Sequence, residues 1–313
     1  MIARNTVSSG QESTAFTPKS GGESRRLAML KRAGLFGADA SGAAIVRAAS
    51  SEDLRKAYRL VHDIFVEEGY ILPRSCGMRL RVYEALPETA TFVAKVGPDV
   101  VGVQSLVMDS TDLGLPSDES FHQEIAVLRG PGRRLCEATN QSIAPAFRKS
   151  AVPTELMRCC LAHAVGAGCN ELITTVSPGH ARFYSLLGFE PISPVRSYSA
   201  ELEDPVVVVR MNMDTIAGRA AAADQQQVGD DVFLKSYYLD DNPYQARVDA
   251  WAAEAAAAFC DASFLRKMFI RDSELLAQCR DEELNAIRRR WGTELYDEVM
   301  QPVGQERLIH AGA

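Results

Sequence analysis

Residues 134–153 read RLCEATNQSIAPAFRKSAVP, and the strand, turn and helix start they encode organise the segments on either side. Arg134 to Ala144 has the pattern of a strand, and Thr154 to Val165 that of a helix broken by Gly166 and Gly168. Downstream come a strand over Glu171 to Val176, a helix from His180 to Leu187 closed by Gly188, and a last strand over Val206 to Met213 that opens with four successive valines. Upstream, Phe121, Ile125 and Leu128 fall at i, i+4 and i+7, the spacing of a short amphipathic helix. Thr91 to Val96, a Gly97-Pro98-Asp99 turn and Val100 to Val107 make a hairpin. Before it, Ile45 to Ala48 reads as a strand, and Ser50 or Ser51 caps a helix that carries Glu52 and Asp53 in its first turn and continues through Tyr58, Val61 and Phe65. The order β-α-β-β-α-β-α-β-α-β predicts an α/β fold, a mixed sheet covered by helices.

With 313 residues, 46% of them hydrophobic and 24% charged, the chain has enough apolar material for one sizeable core or two domains, which excludes a disordered protein. No apolar run approaches the roughly 18 residues that a bilayer span needs. Lys+Arg 34 against Asp+Glu 41 gives 34 − 41 = −7, so the molecule as a whole does not attract nucleic acid. Seven cysteines without a CxxC pair and five histidines without HExxH spacing support neither a disulfide scaffold nor a metal site, and a reducing cytoplasm is the expected setting.

Composition divides the chain into four stretches. Residues 1–43 are rich in Ser, Gly and Thr and are expected to form a flexible arm; within it Arg25 to Arg32 is a short basic-apolar stretch that also suits a membrane-surface helix. Residues 44–214 hold the regular elements, 215–232 have linker composition, and 233–313 are helical. In that last stretch Leu284, Ile287, Trp291, Leu295 and Val299 form a stripe at helical spacing, expected to pack as core or to offer the surface of a homodimer.

The string His180-Ala181-Arg182-Phe183-Tyr184-Ser185-Leu186-Leu187-Gly188-Phe189-Glu190, with Ser142 to Ser150 ahead of a helix, resembles the GCN5-related N-acyltransferase fold. Leu54 to Ile71, Asp112-Leu113-Gly114-Leu115-Pro116 and the helix from Phe121 to Leu128 resemble bacterial long-chain N-acyl amino acid synthases, relatives of the acyl-homoserine-lactone (autoinducer) synthases. The resemblance spans about 44 to 200 and implies a GCN5-related mixed sheet flanked by helices, with the C-terminal helices as an extension. It also implies transfer of a fatty acyl group from the phosphopantetheine of an acyl carrier protein to the α-amine of an amino acid, with no tightly bound cofactor. Acetyl-CoA enzymes of this fold bind diphosphate on a glycine-rich turn. Here Ala151 and Pro153 stand where the two glycines would be, and proline has no N–H to donate. A carrier-borne arm, with one phosphate and a protein surface to add affinity, asks less of that turn. A CoA thioester remains the alternative donor, and a scaffold that has lost catalysis the alternative function.

An amino-acid ammonium must lose a proton before it attacks a thioester. Glu137 matches the strand glutamate of these synthases and is the candidate base or organiser of a water relay; a pair with Arg133 or Arg134 is its structural alternative. Where the relatives carry Arg three positions on, this chain has Asn140. Tyr184 fits the tyrosine that meets the departing sulfur, or else packs as a core ring. Arg148, Lys149 and Ser150 are candidate phosphopantetheine ligands. Arg129, Arg133, Arg134, Lys149 and Arg158 form a local cluster that suits an acidic carrier protein. Phe65, Leu106, Met108, Phe121 and Ile125, with neighbours such as Tyr70 and Leu72, line an acyl-chain slot or serve as core.

Overall fold

The computed structural model describes residues 25–32, 34–36, 42–199, 204–226 and 229–301. In chain order, α1 (Arg25–Arg32) precedes β1 (Ala44–Arg47) and α2 (Ser51–Glu67). The cap expected at Ser50 is formed, its hydroxyl accepting from the Asp53 N–H at 3.1 Å. The hairpin is β2 (Ala90–Val96) and β3 (Asp99–Met108), turning at Gly97 with φ +57°, a conformation that glycine adopts without a Cβ penalty. Then follow α3 (Asp118–Leu128), β4 (Leu135–Ile143), α4 (Val152–Gly166), β5 (Glu171–Val176), α5 (Pro178–Leu186), β6 (Glu190–Pro191), β7 (Arg196–Ser197) and β8 (Pro205–Asn212). The expected order is present throughout; β6 and β7, two residues each, are too short to leave a periodic signal.

The sheet runs β1-β2-β3-β4-β5-β8-β6, with β7 paired to β8 off this path. Every pairing is antiparallel except that of β4 with β5. Side-chain alternation sends Leu106, Cys136, Ala138 and Leu172 into a core under α4 and α5. Val107, Leu135, Ile173 and Val208 enter a core on the other side, under α3. A further core joins α2 and the sheet to the C-terminal helices.

Residues 215–232, expected as a linker from composition, are largely helical: α6 (Met213–Gln226) continues from β8 and α7 (Gly229–Lys235) follows. The alanines that read as low complexity are good helix formers, and Ile216 and Ala220, one turn apart, are buried. Beyond them lie α8 (Val248–Ala258), α9 (Ala262–Arg266), α10 (Leu275–Gln278), α11 (Asp281–Trp291) and α12 (Thr293–Met300). The apolar stripe is core: Ile287, Trp291 and Val299 are buried against Leu54, Ala57 and Val93 of the sheet domain, so these side chains are enclosed within the chain. Within the expected N-terminal arm, Leu27, Leu30 and Leu35 are buried as well; residues 1–24 and 37–41 lie outside the described residues.

Gly102 of β3 marks where α4 sits closest to the sheet. A Cβ there would lie 2.8 Å from Val152 Cγ1, 3.1 Å from Ile143 Cδ1 and 3.2 Å from Ala94 Cβ. Gly102→Ala is therefore expected to destabilise the chain by about 1–3 kcal/mol through overpacking, read as a lower midpoint in urea with unchanged slope.

Candidate active site

Strand β4 builds the site. Its parallel pairing with β5 runs from Leu135↔Glu171 to Ala138↔Thr174 and stops, while β4 continues to Ile143 beside β3 alone. The two strands part beyond Ala138 and open a wedge. At the wedge β4 carries an extra residue: Val103 faces Ser142 and Ser105 faces Thr139, two steps on β3 against three on β4. Asn140 lies within this bulge at φ +56°, a left-handed conformation that asparagine tolerates better than most residues.

Glu137 precedes the bulge and is fully buried. Ser117, at the start of α3, donates to both of its oxygens: the backbone N–H to Oε2 at 2.9 Å and the hydroxyl to Oε1 at 2.6 Å. Burial pushes the carboxyl up to about 7, against the Ser117 hydrogen bonds and the charge of Arg81, which pull it down. Neither arginine first considered as its partner pairs with it; Arg133 pairs with Glu171 at 2.8 Å. A carboxyl that changes protonation near neutrality, on a strand that loses its neighbour one residue later, has the properties of a base for amine activation.

Beside it runs a buried polar network. Arg79 Nη1 donates to Asn140 Oδ1 at 2.8 Å, and Asn140 Nδ2 donates to Glu84 Oε1 at 2.9 Å. Arg81 donates to Glu84 Oε1 at 3.0 Å, Tyr198 Oη at 3.1 Å and Thr139 Oγ1 at 3.2 Å. Ser105, Thr91 and Tyr58 extend the chain across the sheet in two further steps of 3.1 Å. Asn140 thus joins two segments: its amide ties Arg79 and Glu84 to the strand. Sequence reasoning missed Arg79, Arg81, Glu84, Ser117 and Tyr198. The alternation Arg79-Leu80-Arg81-Val82 was the available signal, in a segment with no regular element before Val82–Ala85.

On the other face of β4, Tyr184 of α5 donates its hydroxyl to Gln141 Oε1 at 2.9 Å. Its ring packs edge-on against Phe189, and burial raises the phenol to about 12, so it remains a proton donor at neutral pH. Glu137 and Tyr184 therefore approach β4 from opposite sides, one on each side of the bulge. The turn after β4 places Arg148 and Lys149 at the surface. Arg148 Nε donates to Ile143 O at 3.2 Å, and its guanidinium pairs with Glu68 at 3.2 Å. Ser150 is engaged internally: its hydroxyl donates to Phe147 O at 2.7 Å and accepts from Val152 N at 3.2 Å.

The five residues named for the acyl chain do not share a slot. Phe121 and Ile125 of α3 are fully buried, with Phe65 packed against the same core, whereas Leu106 and Met108 belong to the α4 side of the sheet. The cause is β3, which is apolar on both faces at Leu106-Val107-Met108, so hydrophobicity alone assigns no side. Of the neighbours, Leu72 is 85% exposed. The basic cluster is largely neutralised: Arg129 forks onto Asp109 at 2.7 and 2.8 Å and also binds Asp118, and Arg158 pairs with Glu155 at 2.9 Å. Only Arg134 and Lys149 of the five have no acidic partner among the described residues.

With this geometry the family model described as "N-acyl amino acid synthase FeeM" matches residues 56–212. The chain belongs to the FeeM N-acyl amino acid synthase family. The match runs from within α2 to the end of β8 and so holds Glu137, Asn140, Tyr184 and the turn at Arg148. The solved structure of FeeM, an N-acyl amino acid synthase from uncultured soil microbes, is 24% identical over 54% of this chain and 90% of that one, with a TM-score of 0.49. BjaI, a CoA-dependent acyl-homoserine lactone synthase solved with SAM and isopentyl-CoA, is 22% identical over 59% and 89%, with a TM-score of 0.42. The acyl-homoserine lactone synthase LasI is 16% identical over 54% and 88%, also at 0.42. No curated protein sequence matches. This member of the FeeM family is an acyltransferase built on a mixed sheet flanked by helices, and α1, β1 and everything beyond β8 lie outside the family match.

Proposed function

We propose that the chain is an N-acyl amino acid synthase that moves a long-chain fatty acyl group from an acyl carrier protein to the α-amine of an amino acid. The observation that carries this reading is Glu137, buried beside the β4 wedge with its carboxyl raised to about 7. In the reaction the amine nitrogen attacks the thioester carbonyl as the ammonium proton passes to Glu137, directly or through water. The C–N bond forms, charge gathers on the carbonyl oxygen, and strand N–H groups beyond Ala138, which have no partner strand on the β5 side, offer it hydrogen bonds. The C–S bond then breaks as the nitrogen releases its second proton; Tyr184 protonates the sulfur, and that second proton, relayed through water, restores the phenol.

The turn before α4 supports a carrier-borne donor. Ala151 and Pro153 replace a glycine cradle, the Val152 N–H is bound to Ser150, and the donors facing outward are the side chains of Arg148 and Lys149. Two surface cations, Lys149 and an Arg148 that exchanges Glu68 for the ligand, suit a single phosphate better than a diphosphate that backbone N–H groups must grip.

The test offers the purified full chain palmitoyl-acyl carrier protein, palmitoyl-CoA and acetyl-CoA, each with a mixture of amino acids, and follows products by mass spectrometry. N-palmitoyl amino acid formed fastest from the carrier is the expected result. Faster turnover of acetyl-CoA would overturn the reading.

A further inference from the structure

α1 lies outside the family match, yet the segment that follows it, Gly34 and Leu35, lies against the turn that is proposed to receive the donor's phosphate and the first turn of α4. Leu30 and Leu35 enter the same core as Leu156 and Tyr184. Thr154 Oγ1, in the first turn of α4, donates to Leu35 O. Gly34, at φ +81°, abuts Lys149 so closely that a Cβ there would lie 3.6 Å from Lys149 O. The end of α1 and the Arg148–Lys149 turn therefore form one continuous surface.

That surface is basic in a chain of net charge −7. The eight residues of α1 include Arg25, Arg26, Lys31 and Arg32 and no acid. Arg25 and Arg32 are exposed, and neither has an acidic partner among the described residues. The neighbouring α7 carries Asp230 and Asp231, both partly buried and both already engaged; Lys31 rests over its Phe233 ring at 4.3 Å. The cations nominated from sequence, by contrast, are mostly spent on internal acids.

We infer that α1, together with Lys149, is the docking surface for the acidic carrier protein that delivers the acyl group. The inference rests on the proposed carrier-borne donor. In such a donor the phosphate is the point where the arm joins the protein, since it esterifies a carrier serine. A phosphate held at Arg148 and Lys149 thus brings the carrier's surface against whatever flanks that turn, which is α1. In a CoA thioester the same position continues into a nucleotide, and α1 gains no protein contact. Charge complementarity of this kind speeds encounter and fixes orientation.

The experiment uses the full chain and the double variant Arg25→Glu/Arg32→Glu. Binding of holo-acyl carrier protein is measured by calorimetry, and turnover of palmitoyl-pantetheine, which has neither phosphate nor carrier, is measured alongside. The double variant is expected to bind the carrier about tenfold more weakly at low salt, with less salt dependence than wild type, and to turn over palmitoyl-pantetheine at the wild-type rate. Equal carrier affinity in both proteins would overturn the inference, as would a parallel loss of the pantetheine reaction. Binding of the wild type to phosphatidylglycerol vesicles but not to carrier would overturn it in favour of a membrane surface. A wild type that binds the carrier through α1 yet acylates no amino acid leaves the docking surface standing and removes the proposed reaction.

Discussion

Glu137→Gln is expected to lower turnover by roughly 10²- to 10⁴-fold while the chain stays folded. The amide is close in size to the carboxyl, and the Ser117 contacts survive the change. The Ser117 N–H still meets a side-chain oxygen, and the hydroxyl reverses to accept from the amide NH2. What disappears is proton uptake. In the wild type, burial raises this carboxyl from 4.5 to about 7, so the basic form appears as pH rises through about 7 and the rate climbs with it. The amine's own ionisation adds a second limb at higher pH; the substitution removes the lower limb only. Stability has the opposite sign. Between 4.5 and about 7 the folded state holds a proton that the unfolded state has released, so this group's contribution falls as pH rises through that window and is lost above it. Glu137→Gln therefore flattens that part of the stability profile. Rates against pH for both proteins, with urea unfolding at pH 5 and pH 8, provide the check. A variant keeping more than half of the wild-type rate with the same lower limb would show that Glu137 does no proton chemistry.

The sequence made the strand–turn–helix unit around Glu137 legible because its signals are local. The strand character of β4, the break at Pro145 and the apolar run of α4 each need only a few neighbouring residues. Glu137 itself was singled out by the resemblance, as the match to the strand glutamate of the synthases. The partners of these residues were not legible, because they come from far along the chain. Arg79 and Arg81 reach Asn140 and Thr139 across about 60 positions, and Tyr198 reaches Arg81 across 117. The loss of Arg at position 140 looked like a missing charge; the fold brings Arg79 and Arg81 to the same place on another segment. The reverse error explains the basic cluster: Arg129 and Arg158 look free in sequence until Asp109, Asp118 and Glu155 fold against them. Face assignment failed for the acyl-chain residues for a third reason. A strand buried on both sides carries apolar residues at every position, so alternation has nothing to distinguish.

Trp291→Ala is expected to cost about 3–5 kcal/mol of stability, the range for removing a large aromatic from a core. Trp291 is 7% exposed at the end of α11, with the Phe269 ring at 5.9 Å and the Tyr296 ring at 6.1 Å. Its indole N–H donates to Ala85 O at 2.9 Å. That hydrogen bond clamps the turn Val82–Ala85, and the same turn carries Glu84, which holds both Asn140 and Arg81. Nearby, Arg290 grips Glu88 at 3.0 Å and forks onto Asp112, a second tie between the C-terminal helices and the sheet domain. A helix that composition alone would set apart as an extension is thus a wall of the core behind the network at the bulge. The variant should lose roughly 5–8 °C in thermal midpoint. Well below that midpoint it should also turn over more slowly than wild type, because Glu84 is no longer held from behind. Trp291→Phe separates the two effects: it keeps most of the ring packing and gives up only the N–H bond, a loss of about 0.5–1.5 kcal/mol. A Trp291→Ala protein melting within 2 °C of wild type would show that α11 is peripheral, and a Trp291→Phe protein as unstable as Trp291→Ala would show that the hydrogen bond, rather than the ring, holds the turn.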